Sequence, residues 1–411
     1  MSPHTRPGRR RPWVTVVKWV FPVVAIVLGY LFLWPTPIHP YAWTPPPNPG
    51  TGSGSRFAPT QDLWAAAPLA SELIARLYVA AGKPNNFGPE DVTVGPHDGR
   101  IYTGLGDGSI LRIDPSTRTA TVFANTGGRP LGLEFTPDGR QLYVADGELG
   151  LVVVDEQGRL TRLSDEADGE SLNFADNLDI AADGSVWFSA PTRAHTLADV
   201  ALDVWDSRPS GRLLRYDPRT GRTEKVLDNL YYANGVELSA DGSFVLVAEF
   251  LAFRIQRYWL RGPKAGSHEP FVDGLPGYPD NITRTPGGSF LVGLSLKRVP
   301  ALDRLREKPW AVKAVYRLPS AMQPAPQFPG YLAELDADGR LLRFIADEQP
   351  GVVAQVTSAT VLPAHPGAGA PSVVLGSLLV NSVRRLPLDQ RTAGSARPVM
   401  GSQPGRRPAG R

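Results

Sequence analysis

One short pattern of alternating apolar and polar positions recurs six times: PEDVTVGP (89–96), PLGLEFTP (130–137), ADNLDIAA (175–182), ANGVELSA (233–240), PDNITRTP (279–286) and, more weakly, TSATVLPA (357–364). Alternation with period two predicts a β-strand for each. The first five are followed by a turn and a second apolar run: HDGRIYTG, PDGRQLYVAD, ADGSVWFSA, ADGSFVLVAE and PGGSFLVGL. An Asp-Gly or Gly-Gly pair between two such runs is a hairpin signal, because the tight turn needs residues that accept positive φ. The sixth unit has a looser turn, HPGAGAP, before SVVLGSL.

A further hairpin often follows, as in GSILRIDPSTRTATVFA, LGLVVVDEQGRLTRLSD and GRLLRYDPRTGRTEKVL. A full unit therefore holds about four strands, the size of a propeller blade. The expected fold class is all-β, a six-bladed β-propeller over 61–390 with an N-terminal transmembrane helix. Segment starts lie 41, 45, 58, 46 and 78 residues apart. The two long spacings place insertions at 191–210 and 295–330, both with partly helical character and both leaving the end of a second strand.

The N-terminal pattern differs. Arg6, Arg9, Arg10 and Arg11 precede an apolar run over 13–34, broken only by Lys18 and Pro22. About 20 such residues span a hydrocarbon core of ~30 Å. The basic flank predicts a cytoplasmic tail (1–12), a single-pass anchor (13–34) and an extracytoplasmic propeller. A cleaved signal peptide is the alternative, against which stand the length of the run, its flanking Trp residues and the lack of a small-residue cleavage site close behind. Residues 35–60 are Pro-rich and then Gly/Ser-rich, as in an extended and then flexible linker. Residues 391–411 are basic and without periodicity, as in a disordered tail.

Composition agrees with a turn-rich chain: 42 Gly and 41 Pro in 411 residues, against usual shares of ~7% and ~5%. With 43 Lys+Arg against 40 Asp+Glu the net charge is only +3, and much of the excess lies in the tails, so the folded part is no nucleic-acid binder by charge. The absence of Cys excludes disulfides, thiolate metal sites and a cysteine nucleophile.

In a propeller the first strand of each blade lines the channel and the second returns beside it. The second residues of the six segments are Glu90, Leu131, Asp176, Asn234, Asp280 and Ser358. Four are oxygen donors in one register, and carboxylates facing each other across an axis repel unless a cation or protons intervene. Oxygen-only ligation predicts Ca²⁺, with Mg²⁺ or another divalent ion as alternatives. Asn177 and Asn281 supply further ligand or outer-shell oxygens. Asp146 and Glu249, at second-strand ends, and Asp280 itself are candidate bases for activating water. An ion pair, for instance with Arg254, is the competing role for the first two. His195 in the first insertion is a mouth residue or simply solvated.

From about residue 88 to 388 the chain resembles the strictosidine synthase-like family, including the adipocyte plasma membrane-associated proteins, and more distantly paraoxonases and the senescence marker protein/gluconolactonase group. The pieces RPxGRLLxYDP, ANGVxLSxDGSFxLVxE, RYWLxGPKAG and LPGYPDNI within 207–282 carry it, with RPLGLEF and GPED in support. The resemblance implies a six-bladed propeller, a channel calcium and hydrolysis of esters or lactones. This chain departs from it in three places. It writes Asp176-Asn177 where the family usually writes Asn-Asp, it has Thr360 or Val361 where strictosidine synthases carry a catalytic glutamate, and it has Leu131 where paraoxonases place a channel histidine. The expected function is a membrane-anchored, calcium-dependent hydrolase of a small ester or lactone, in which Leu197, Val200, Leu202 and Trp205 form an apolar wall over the mouth. The alternatives are a binding propeller with a structural calcium and, third, a condensing synthase that would need the missing glutamate.

Overall fold

The computed structural model describes residues 12–51, 61–65, 88–347, 353–364, 369–378 and 382–387. The expected tail at 391–411 and most of that at 1–12 lie outside these residues. Six four-stranded antiparallel sheets follow one another along the chain, each beginning with one of the six repeated segments. Their first strands are Val92–Val94, Pro130–Phe135, Leu178–Ile180, Ala233–Leu238, Gly277–Arg284 and Val356–Leu362. They define blades 1 to 6. The turn glycines sit where the Asp-Gly and Gly-Gly signals place them, with positive φ at Gly99, Gly139, Gly184, Gly242 and Gly288.

Ring closure joins the two ends of the propeller. Gln61–Ala65 pairs antiparallel with Ser382–Pro387 and supplies the fourth strand of blade 6, Gln61 opposite Arg385 and Ala65 opposite Ser382. This five-residue strand covers the edge of Ser382–Pro387 and ties the start of the propeller to its last blade.

A propeller buries apolar surface between adjacent blades, and six separate clusters do so here. Examples are Ile110 with Val144 between blades 1 and 2, Leu151 with Phe188 between 2 and 3, Leu213 with Val247 between 3 and 4, and Leu246 with Val292 between 4 and 5. Leu291 with Val356 joins blades 5 and 6. Ile101 with Val374, Val383 and Leu63 seals 6 against 1. At about 25 cal/mol per Å² of buried apolar area, this repeated interface is the main stabilising force of the ring.

The two insertions are partly helical, as expected. The first, after Val186–Ala190, contains the helix Ala201–Asp206. The second, after Phe290–Lys297, contains Pro300–Leu305 and Pro309–Tyr316. A further helix, Pro12–Leu33, covers the N-terminal apolar run. Its side chains are described over 20–33. Among the described residues no helix is long and apolar enough to cross a membrane.

The segment after this helix is extended but not free. Ile38 is fully buried, Tyr41 N–H donates to the Asp206 carbonyl at 2.8 Å, and Trp43 N–H donates to that of Arg306 at 3.3 Å. The first part of the expected linker is therefore a strap laid across both insertions. Residues 52–60 lie outside the description.

Candidate functional site

The hairpin geometry brings the start of each first strand and the end of each second to one mouth. Asp176 N–H, for example, donates to the Ser189 carbonyl at 3.2 Å, and Tyr278 pairs with Leu296. Both insertions leave from this mouth. The six register positions, Glu90, Leu131, Asp176, Asn234, Asp280 and Ser358, are all buried, none more than 5% exposed.

Electrostatics show that the acids share one space. Burial, then the charges of Asp176 and Asp280, push Glu90 well above the usual carboxylate range, with Arg129 opposing. Asp176 moves the same way through burial and then Asp280. Burial pushes Asp280 up to about 7, while hydrogen bonds from Ser295 and Asn234 hold it back. Glu90 Oε2, Asp176 Oδ1, Asn234 Oδ1, Asp280 Oδ1 and both amide atoms of Asn281 have no hydrogen-bond partner.

A buried acceptor left without a partner costs ~1–3 kcal/mol, so several around one axis call for a shared partner. Three carboxylates and two amide oxygens fit a hard divalent cation. As they stand, no three His, Cys, Asp or Glu side chains among the described residues are drawn together tightly enough to enclose one. The fit therefore rests on the unpartnered oxygens and the mutual repulsion.

The neighbours of these residues divide into different tasks. Asn177 Oδ1 accepts from Val236 N–H of blade 4 at 2.8 Å and its Nδ2 donates to Asp91 Oδ2 at 3.5 Å, so Asn177 clasps blades. Asp91 accepts from Leu133 N–H of blade 2 at 3.0 Å, and burial pushes it up to about 6. Asp146 Oδ1 accepts from the N–H groups of Arg129, Glu148 and Leu149 at 2.9–3.0 Å; it shapes the turn, and only Oδ2 is left over. Glu249 is engaged through both oxygens, by Arg254, by Gln256 at 2.7 Å and by Tyr231 N–H at 3.0 Å. Its role here is the ion pair. His195 Nε2 meets Asp206 Oδ2 at 3.0 Å, which replaces solvation with a contact inside the first insertion.

Two features of the mouth escaped the sequence reading. Arg129, 2% exposed, reaches across blade 1 to donate to the Gly88 carbonyl at 3.0 Å, and its charge favours the ionised forms of Glu90 and Asp176. The second is an aromatic arc. Phe174, Tyr232 and Tyr278 each stand two residues before a donor of the register, and with Phe250 they run Phe174–Tyr232 at 6.2 Å, Tyr232–Phe250 at 5.2 Å and Phe250–Tyr278 at 5.0 Å. That recurrence was the available signal. Leu197 completes the apolar wall over Leu131: a Cβ added at Gly147 would lie 2.7 Å from a methyl of the first and 3.2 Å from one of the second. Trp205 instead packs on Tyr316 of the other insertion at 5.4 Å. The surface hollow between the turns at 136–141 and 155–159 lies at the far end of blade 2 and holds none of this chemistry.

Comparison with known proteins matches residues 176–263 to the strictosidine synthase family model and 79–113 to the strictosidine synthase-like N-terminal model. The strictosidine synthase-like protein 13 of Arabidopsis thaliana is 33% identical over 311 residues, covering 68% of this chain and 77% of that one. The adipocyte plasma membrane-associated protein of Salmo salar is 34% identical, covering 66% and 71%. Among solved structures, a gluconolactonase of Xanthomonas campestris superposes with a TM-score of 0.54 at 16% identity, over 82% of this chain and 98% of that one. A calcium-binding protein, regucalcin, of Agrobacterium tumefaciens gives 0.51 at 15%, over 81% and 94%. At such identities these two establish the fold.

Proposed function

This chain belongs to the strictosidine synthase-like family, and we propose that it is a membrane-anchored hydrolase of esters or lactones that holds a calcium ion on Glu90, Asp176, Asn234, Asp280 and Asn281. One observation carries the reading: buried oxygens without partners recur at one register of the inner strands, and in blades 3, 4 and 5 each follows a ring of the aromatic arc by two residues. Five oxygens, with room for substrate and water, suit the six to eight ligands of calcium better than the strict octahedron of magnesium.

When bound, such an ion polarises a carbonyl and stabilises the negative charge that develops on its oxygen. The chain's own residues supply the rest. Phe174, Tyr232, Phe250, Tyr278, Leu131 and Leu197 hold the apolar part of the substrate and keep bulk water out. Arg129 counters the acids, opposing the burial and mutual repulsion that raise Glu90 and Asp176. Hydrolysis adds water across the C–O bond, the hydroxyl going to the acyl carbon and the proton to the leaving alcohol. The names of the gluconolactonase and regucalcin neighbours agree with a lactone substrate and a calcium ion. A condensing reaction has less support, since blade 6 offers Thr360 and Val361 and no acid there. The helix Pro12–Leu33 is the anchor, with the arginines before it on the cytoplasmic side.

The test is turnover of phenyl acetate and of a lactone series by the full chain in nanodiscs, before and after chelation. We expect a loss of at least about 100-fold, restored by calcium. Full activity in the chelated protein refutes the mechanism. Asp280→Ala then separates a catalytic from a purely structural ion: lost turnover with an unchanged melting temperature supports catalysis, and lost stability in a chain with no turnover supports a staple between blades.

A further inference from the structure

We infer that the site's mouth is held against the bilayer and that the substrate enters from the lipid, as an apolar ester or lactone rather than a free sugar lactone; this rests on the membrane reading above. The link between helix and mouth is short and fastened. Arg317 of the second insertion donates from Nη1 to the Leu31 carbonyl and from Nε to that of Trp34, each at 2.7 Å. Tyr30 hydroxyl returns a bond to the Arg317 carbonyl at 3.1 Å, and Phe32 lies 6.0 Å from Trp310. From Trp34 to the fully buried Ile38 the chain spans at most about 14 Å at ~3.3–3.6 Å per residue.

Beyond Ile38 the strap ties both insertions together. His39 N–H donates to the Asp206 carboxylate, and Arg208 donates to the His39 carbonyl at 3.0 Å. Thr44 hydroxyl reaches Glu307 at 2.9 Å and Arg298 reaches the Pro46 carbonyl at 2.7 Å. Trp43 ends beside the site itself, 5.0 Å from Tyr231 and 6.1 Å from Phe253. A flexible stalk would leave the propeller free to turn in any direction. This one fixes which face meets the membrane.

That face has the right chemistry. On the second insertion Trp310, against Phe32 of the helix end, is 60% and Met322 66% exposed, and Leu33 and Trp34 of the helix end are exposed too. Outside residues 20–41, the other large apolar side chains exposed among the described residues are Val122 and Leu342, on blade strands away from the insertions. Of the charged side chains in 295–330, Arg298 and Arg306 are buried, while Arg304 and Lys308 are exposed together with Glu307. Exposed apolar side chains with cations beside them suit an interface of acyl chains and phosphate headgroups.

The chain has no cysteine, so single spin labels can be placed without background. The full chain carrying Trp310→Cys, Met322→Cys, Val122→Cys or Leu342→Cys is labelled in nanodiscs containing anionic lipid, and collision with oxygen is compared with collision with a water-soluble nickel chelate. The oxygen-to-nickel ratio at 310 and 322 should exceed that at 122 and 342 roughly tenfold, since oxygen concentrates in lipid. Arg317→Ala should lower it at 322 while the protein still floats with vesicles. Equal ratios at all four positions overturn the inference, as does spin–spin broadening at 310 with no lipid contact, which would mark a second copy as the occupant. Failure of the full chain to float with vesicles removes the anchor reading itself. Hydrolysis is tested separately: adding lipid at constant total substrate should slow an apolar ester by surface dilution and leave phenyl acetate nearly unchanged.

Discussion

Blades 3 and 5 carry the same dipeptide, Asp176-Asn177 and Asp280-Asn281, at the same register, and the two asparagines do different things. Both aspartates face the axis with an unpartnered oxygen. Asn177, however, accepts the Val236 N–H of blade 4, which the irregular pairing between Ala233 and Val236 frees from its own sheet. Asn281 meets no such donor. Blade 6 instead turns its first polar side chains toward blade 1, Thr357 and Ser358 both donating to the Glu90 carbonyl, at 2.5 and 3.0 Å. The neighbouring blade therefore decides whether an asparagine is a clasp or a free donor.

The largest expected effect of breaking this contrast lies in cation affinity. Asn281→Ala should weaken calcium binding by about 10–100-fold, the range typical of groups that support a metal site, with the melting temperature of the chelated protein nearly unchanged; titration calorimetry reads the first and thermal unfolding the second. Equal affinities in variant and parent would exclude Asn281 from the site. Asn177→Ala should show the opposite split, losing ~1–3 kcal/mol of stability because the Val236 N–H is stranded in the interior, with a smaller change in affinity.

Gly235→Ala tests how tightly the blades meet at the same level. An added Cβ would lie 2.4 Å from the Asp280 carbonyl and 2.8 Å from the Asn281 Cα, so a loss of ~1–3 kcal/mol is expected from overpacking. A neutral result in denaturant unfolding would mean that the inner strands shift freely. The smallest effect belongs to a carboxylate far from the axis. Bonds from Lys264, Arg257 and Trp259 lower Glu269 from 4.5 to about 2. Its contribution is present above pH ~4.5 and fades as pH falls toward 2, because a depressed folded-state pKa favours the ionised native form. The difference in melting temperature between the parent and Glu269→Gln should therefore narrow over that window, and a constant difference would show that the charge has no part in it.

The repeat was legible because period-two alternation and Asp-Gly turns are local properties. Six inner strands, five tight hairpins and two helical insertions follow from residues within a few positions of one another. The donor register was legible for the same reason: each of Glu90, Asp176, Asn234 and Asp280 occupies the second place of a recognisable segment. The aromatic arc was equally local and is readable once the positions two residues earlier are compared. Arg129 was harder, since the group that it faces belongs to another blade.

Contacts between residues far apart in the chain were not legible. The strand Gln61–Ala65 has no hairpin partner nearby, and its pairing with Ser382–Pro387 exists only because the ring closes. The prolines of 35–48 do suit an extended chain, but whether it hangs free or is fastened depends on Asp206, Arg298, Arg306 and Arg317, which are 160 or more positions away. The sequence by itself determined the blades, their turns and the oxygen donors facing the channel, since these follow from short-range backbone preference and side-chain alternation. Tertiary structure alone decided which asparagine stays free, which carboxylates are engaged, and that the helix end is fastened at the mouth: each is a bond whose two partners meet only after the ring has formed.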